Sequence, residues 1–316
     1  MQFWENSPGY AIARGYVDLC TMVGCSRIRI EGRENLPENG AVLLASNHCA
    51  SLMDPLVELR LRPRRPLAYG ARSDVFSGPT LTKVLRWLKI LPIARERNGL
   101  HEVAKNFDTF DEAVECIGHG TPFCLYVEGR HRAERGMLPV RKGIFRLARM
   151  AVAKLEGPVW VVPVGVDYEY LFREGGAVVV TIGEPVEMRS YFEGHSAENE
   201  AEVYHGLCES FQTRIESLIG HIAPQSEIRT GKPSPAALAL KLLGAFLLIP
   251  LEAALLLSTV IYWLPARLIM RKMADKAWTH TVFYAVRFVL PVLWPLIWLE
   301  GIVSNYLFEI LNYIKK

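Results

Sequence analysis

A chain of 316 residues, half of them apolar and 22% charged, has material for one large or two modest cores, which excludes a disordered protein. A net charge of +3 gives no overall attraction to nucleic acid, and none is expected as a partner. Six cysteines without a CxxC or other metal-like pair are read as reduced, buried thiols, with neither a disulfide nor a metal site.

The opening MQFWENSPGYAIARGY lacks the basic n-region and apolar core of a secretion signal, so the bulk of the chain is expected to stay cytosolic. Residues 9–24 place apolar and aromatic side chains three and four apart. This predicts an amphipathic helix over the first 24 residues, lying against a core or a membrane surface. Residues 25–228 then alternate short apolar strands with helical stretches. The strands RIRIEG and AVLLAS precede helices near 52–61 and 79–89, a short strand before the arginines of LPIARERNG, and a helix over 99–117. PFCLYVE is a strand, and a helix at 141–155 leads to the strands VWVVPVGV and AVVVTIG. A helix over 197–221 closes this part. Apolar strands alternating with helices predict an α/β fold, a mostly parallel or mixed sheet flanked by helices.

RTGKPSPAA at 229–237 is the expected linker to an apolar tail covering 238–316. Leu242 to Leu264 contains one charge, Glu252, and Trp278 to Leu299 contains one, Arg287; either is long enough to cross a hydrocarbon core about 30 Å thick. The connection between them carries Arg267, Arg271, Lys272 and Lys276, and short basic loops favour the cytoplasmic side. Pro250, Pro265, Pro291 and Pro295 interrupt both segments. A membrane-associated helical hairpin that enters one leaflet and returns is therefore expected, with full crossing as the alternative.

His48 and Asp54 are the leading candidates for chemistry. A strand AVLLAS ending at Asn47-His48 puts an imidazole at the carboxyl edge of a sheet, where α/β proteins commonly build their sites. Ser51 followed three residues later by Asp54 also has the form of a capping box. The two readings are compatible, because a carboxylate in a first helical turn can reach back and fix a histidine's tautomer. The second constellation is YVEGRHRAERG at 126–136, an acid and a glycine opening a dense basic loop. Arg141, Lys142 and Gly143 then start a helix whose free N–H groups suit phosphate. Arg95 and Arg97 follow a further strand, so three strand ends bring positive charge to one edge, and guanidinium groups grip phosphate bidentately. A base, an acid to orient it and a phosphate cradle beside an apolar surface suggest acyl transfer to the hydroxyl of a phosphorylated lipid precursor.

These blocks resemble the glycerophosphate and lysophosphatidic acid acyltransferase superfamily, the PlsC-like family. NHCASLMD matches its Asn-His…Asp block, PIAR its Pro-hydrophobic-x-Arg block, YVEGRHR its Glu-Gly block and VVPVGV its Val-Pro-Val block, in family order over roughly 41–185. His48 and Asp54 are separated by five residues where the commonest form has four. This spacing, with VGVDYEYLFREGG and IGEPVEM, resembles the branch that acylates glycerol 3-phosphate or dihydroxyacetone phosphate. Val127 and Arg130 stand where the family has Pro and Thr, so Arg130 and Arg132 both remain candidates for the phosphate role. The resemblance implies a catalytic pair, His48 as general base oriented by Asp54. It also implies a substrate-binding set of Asn47, Arg95, Glu128, Gly129, Arg130, Arg132 and Lys142, and no metal or cofactor. Acyl-CoA or acyl carrier protein would be co-substrate, glycerol 3-phosphate or a lyso-phospholipid the acceptor, and the lipid bilayer a partner, with the catalytic domain at the cytoplasmic face. The other histidines, His131 among them, lack comparable context. A serine hydrolase is disfavoured because no G-x-S-x-G elbow exists, and a catalytically silent membrane-surface scaffold is the alternative of another class.

Overall fold

Every residue of the strand AVLLAS is buried, and its side chains divide by parity between two cores. Ala41, Leu43 and Ala45 enter one, Val42 and Leu44 the other. A strand that is apolar on both faces needs cover on both, and helices supply it. A computed structural model describes residues 2–63, 65–94, 106–132, 134–222 and 235–314. Its α/β part contains α1 (Pro8–Val23), β1 (Arg27–Glu31), β2 (Ala41–Ser46), α2 (Met53–Glu58), β3 (Ala68–Arg72), α3 (Pro79–Trp87) and β4 (Ile90–Ile93). After these come α4 (Asn106–Gly118), β5 (Phe123–Tyr126), α5 (Gly143–Lys154), β6 (Val159–Tyr168), β7 (Ala177–Ile182), β8 (Val186–Glu187), α6 (Met188–Gly194) and α7 (Glu200–Glu216).

The sheet order is β1-β7-β6-β2-β5-β3-β4, with β8 also on β6. Strands β6, β2, β5, β3 and β4 run parallel, so the carboxyl ends of β2, β5 and β4 lie at one edge. β6 meets β7 antiparallel, which makes the sheet mixed. One core lies under α4, α5 and α7, where Phe110, Phe145 and Phe211 meet; the other lies under α2, with Cys20 of α1. β1 is an edge strand with its charged residues outward, the usual protection of an open edge. β3, with the sequence AYGAR, escapes sequence reading because it has no β-branched residue.

The tail is divided into more helices than its two apolar segments suggest. It forms α8 (Pro235–Ser258), α9 (Val260–Lys272), α10 (Thr279–Phe288) and α11 (Trp294–Ile314). Part of the expected linker, 229–234, lies outside the described residues, and Pro235 already opens α8. Residues 278–299 do not form one helix. Pro291 has no N–H to continue α10, and the chain bends by 100° into α11. α8 runs against α11, and α9 against α10. α10 packs onto the α/β part. Tyr284 enters the second core, the Thr281 hydroxyl accepts from Leu52 N at 3.2 Å, and His280 Nε2 lies 2.9 Å from the Tyr170 carbonyl. Arg287, fully buried, donates to the Cys20 carbonyl of α1 at 2.9 Å, to Glu174 at 2.6 Å and to the Tyr262 hydroxyl at 3.1 Å. Among the described residues one helix, 236–258, is long and apolar enough by itself to cross a membrane. Its side chains Leu240, Phe246 and Leu257 are 70% exposed or more.

Candidate active site

β2 ends at Ser46, and the chain turns out of the sheet through Asn47 and His48. The Asn47 amide is committed on both sides to one residue of β6. Nδ2 donates to the Val166 carbonyl at 3.0 Å, and Oδ1 accepts from Val166 N at 2.7 Å. An amide so engaged extends the β2–β6 pairing by one step, which makes Asn47 a positioning residue rather than a free substrate ligand.

His48 Nδ1 lies 2.7 Å from Asp54 Oδ2. Asp54 is fully buried, and the backbone N–H groups of Cys49 and Ala50 donate to the same oxygen at 3.0 and 2.9 Å, while the Tyr168 hydroxyl donates to Oδ1 at 2.8 Å. A carboxylate with four donors is compensated for its burial and stays an acceptor. It therefore holds the proton on Nδ1 and leaves His48 Nε2 as the basic nitrogen. The five-residue spacing closes because Ser51 turns in the left-handed region at φ 52°. The capping-box expectation fails for the same reason: Leu52 precedes α2 with no side-chain cap, and Asp54 turns back toward His48.

Two further contacts fix the His48 turn. The Tyr126 ring stacks on it at 4.0 Å between centroids and 15° between planes. Glu128 accepts from His48 N at 2.7 Å and from Leu138 N at 2.7 Å, and so clamps the basic loop to the His48 turn. Burial pushes the Glu128 carboxyl above its usual range, opposed by those two N–H donors. Gly129 takes φ 68°, which a side chain tolerates poorly, and its N–H closes the turn onto the Tyr126 carbonyl at 3.1 Å. Glu128 and Gly129 therefore build the loop.

The basic residues expected to hold phosphate lie around this loop. Arg132 N donates to the His48 carbonyl at 3.1 Å, and its guanidinium is 3.3 Å from Glu134. Arg130 is exposed, and Lys142 is exposed at the start of α5, which abuts the end of β5 through Arg141 N and the Val127 carbonyl at 2.8 Å. Of the two candidate arginines, Arg132 is the one whose backbone touches the histidine. Arg95 and Arg97 lie outside the described residues.

The sequence sets His131 among the histidines without a clear context. Its ring stands edge-on to His48 at 5.5 Å and to Trp278 at 5.8 Å, and its Nε2 meets Asp275 Oδ2 at 2.8 Å. No local signal marks it, because its acid partner is 144 residues away. Tyr168 is likewise unmarked, being one of many apolar positions in β6. Cys49 is buried, and that burial pushes its thiol pKa well up, with Asp54 adding to the shift, which disfavours the thiolate. Among the described residues no group of three or more His, Cys, Asp or Glu is arranged to hold a metal ion.

A histidine oriented by a buried carboxylate at the carboxyl edge of a parallel sheet, with basic residues on the adjoining loop, is an arrangement that can supply a general base beside an anion. Residues 27–167 match the family described as Acyltransferase. Among solved structures it is similar to the 1-acyl-sn-glycerophosphate (LPA) acyltransferase PlsC from Thermotoga maritima, with 22% identity over 65% of this chain and 74% of that chain and a TM-score of 0.44. No curated protein gives a significant match.

Proposed function

We propose that the protein transfers a fatty acyl group from the thioester of acyl-CoA or acyl carrier protein to a hydroxyl of glycerol 3-phosphate. The observation that carries this reading is the His48–Asp54 contact of 2.7 Å, which leaves Nε2 as base beside a loop bearing Arg130, Arg132 and, at its far end, Lys142. His48 Nε2 takes the proton of the acceptor hydroxyl as its oxygen bonds to the thioester carbonyl carbon. The tetrahedral intermediate then expels the thiolate, which receives the proton from the imidazolium. A base in this role contributes typically about 10²–10⁴ in rate. The basic residues orient the acceptor through its phosphate.

Thiol release from labelled acyl-CoA, measured with glycerol 3-phosphate and with lysophosphatidic acid in parallel, tests the reading. Faster turnover of glycerol 3-phosphate is expected, and faster lysophosphatidic acid turnover would reassign the acceptor. No acyl release with either would favour a silent scaffold.

The domain is proposed to work at the cytoplasmic face, with α8 in the lipid. The Asp275–His131 and Arg287–Glu174 contacts support a chain that enters and returns to the catalytic side. A reporter fused near Lys272 that reacts from the outer face would sink that version.

A further inference from the structure

A second cavity, of about 440 Å³, lies away from His48 between the loop at 172–175 and helices α9, α10 and α11. Its size falls in the roughly 300–1,000 Å³ range of small-molecule sites. Four cations, Arg173, Arg267, Arg271 and Lys276, and two carboxylates, Glu174 and Glu300, line it. Glu174 is already taken by Arg287 and by the Tyr262 hydroxyl, and Lys276 caps α9 by donating to the carbonyls of Met270 at 2.9 Å and Met273 at 3.2 Å. Arg267 and Arg271 are exposed, Arg267 lying over the Trp263 ring. Arg173 is held by Ser304 at 3.0 Å and by the Phe308 ring, yet its buried Nη1 has no hydrogen-bond partner among the described residues. Asn305 Oδ1, also in the lining, is a buried acceptor in the same condition. Both atoms are enclosed by protein, so the charge this wall offers comes from Arg173 as a whole cation beside the exposed Arg267 and Arg271. Phe172, Trp263, Phe283 and Ile297 make one part of the wall apolar. The exposed apolar helix α8 belongs to the same helical layer, packed along α11.

We propose that this cavity is a second binding site, separate from the acyl-transfer centre, for an anionic glycerolipid whose phosphate meets Arg173, Arg267 and Arg271 and whose chain follows the apolar wall. The segment 275–279 is shared between the two sites. Asp275 holds His131 beside His48, while Lys276 and Thr279 face the cavity. A lipid seated here has a direct structural route to the loop carrying His131.

The test uses the full chain in detergent micelles with phosphatidic acid bearing a photoreactive group near the phosphate. Labelling is expected in peptides covering 172–175 and 263–276, at least tenfold weaker in Arg267→Glu/Arg271→Glu and reduced several-fold in the milder Arg271→Gln. Diacylglycerol with the same chains is expected to compete poorly, and inorganic phosphate at matched concentration not at all. Labelling confined to peptides around His48 and the 126–142 loop would overturn the proposal. Unchanged labelling in both arginine variants, or equal competition by diacylglycerol, would do the same. Full competition by inorganic phosphate would identify a free anion as the ligand and reject the lipid.

Discussion

Two fully buried charges, Asp54 and Arg287, are treated in different ways. Asp54 takes four hydrogen bonds, three of them from residues 48–50 just before it in the chain and one from Tyr168. Arg287 draws its partners from α1, the loop after β6, and α9, elements far apart in sequence. The local arrangement orients one imidazole and leaves its second nitrogen for chemistry. The distant arrangement encloses the whole guanidinium and ties the tail to the domain. Burial of charge thus serves reactivity in one region and assembly in the other, and substitutions at the two should act on different observables.

The largest effect is expected at the first region. His48→Ala should lower kcat by about 10²–10⁴ or more with an unchanged unfolding midpoint, since it removes the base. Asp54→Asn should cost nearly as much, because an amide can present an N–H to Nδ1 and stabilise the wrong tautomer. Steady-state rates on purified variants check both. An active Asp54→Asn would break the comparison, as it would make Asp54 a packing residue. At the second region, Arg287→Met should leave the half-buried Glu174 without its cation and cost up to about 3 kcal/mol in denaturant unfolding. Gly24→Ala should cost about 1–3 kcal/mol, since a methyl there overlaps the Arg287 guanidinium. Rate loss in either variant without a shift in unfolding would show that the tail contributes to the chemistry itself.

The same contrast decides what the sequence reveals. The His48–Asp54 centre is legible because its parts are close in the chain and its strand is continuously apolar. The α/β alternation is legible for the same reason, apart from β3. Ser51 misleads, because spacing alone cannot distinguish a cap from a left-handed turn that sends the acid backward. Asn47 and Glu128 have recognisable positions but not recognisable partners. Their hydrogen bonds go to Val166 and Leu138, and only the folded sheet edge brings these near. The tail is legible least. Its hydropathy describes α8 well, whereas in α10 the same apolar character packs against protein, around an arginine that hydropathy counts as a lone defect.

Glu58 sharpens the comparison as a third solution to burial, since it avoids its charge. It is fully enclosed under β2 and β5 and accepts from the Tyr126 hydroxyl at 2.8 Å, on the ring that stacks against His48. Burial pushes its carboxyl up to about 8, from an ordinary value of 4.5. Between those values the unfolded chain releases a proton that the folded protein keeps. Its contribution is therefore full below about pH 4.5 and falls as pH rises, by up to about 1.4 kcal/mol per unit, levelling off above pH 8. Glu58→Gln keeps an acceptor for Tyr126 and has nothing to titrate. Denaturant unfolding from pH 5 to pH 8 should fall less steeply for this variant than for the parent, with the gap widening toward pH 8. Activity at a fixed pH should change by only a few-fold, because His48 keeps both its stacking partner and its acid. Parallel stability curves for the two proteins would mean that Glu58 is ionised in the fold, with a compensating partner as Asp54 has.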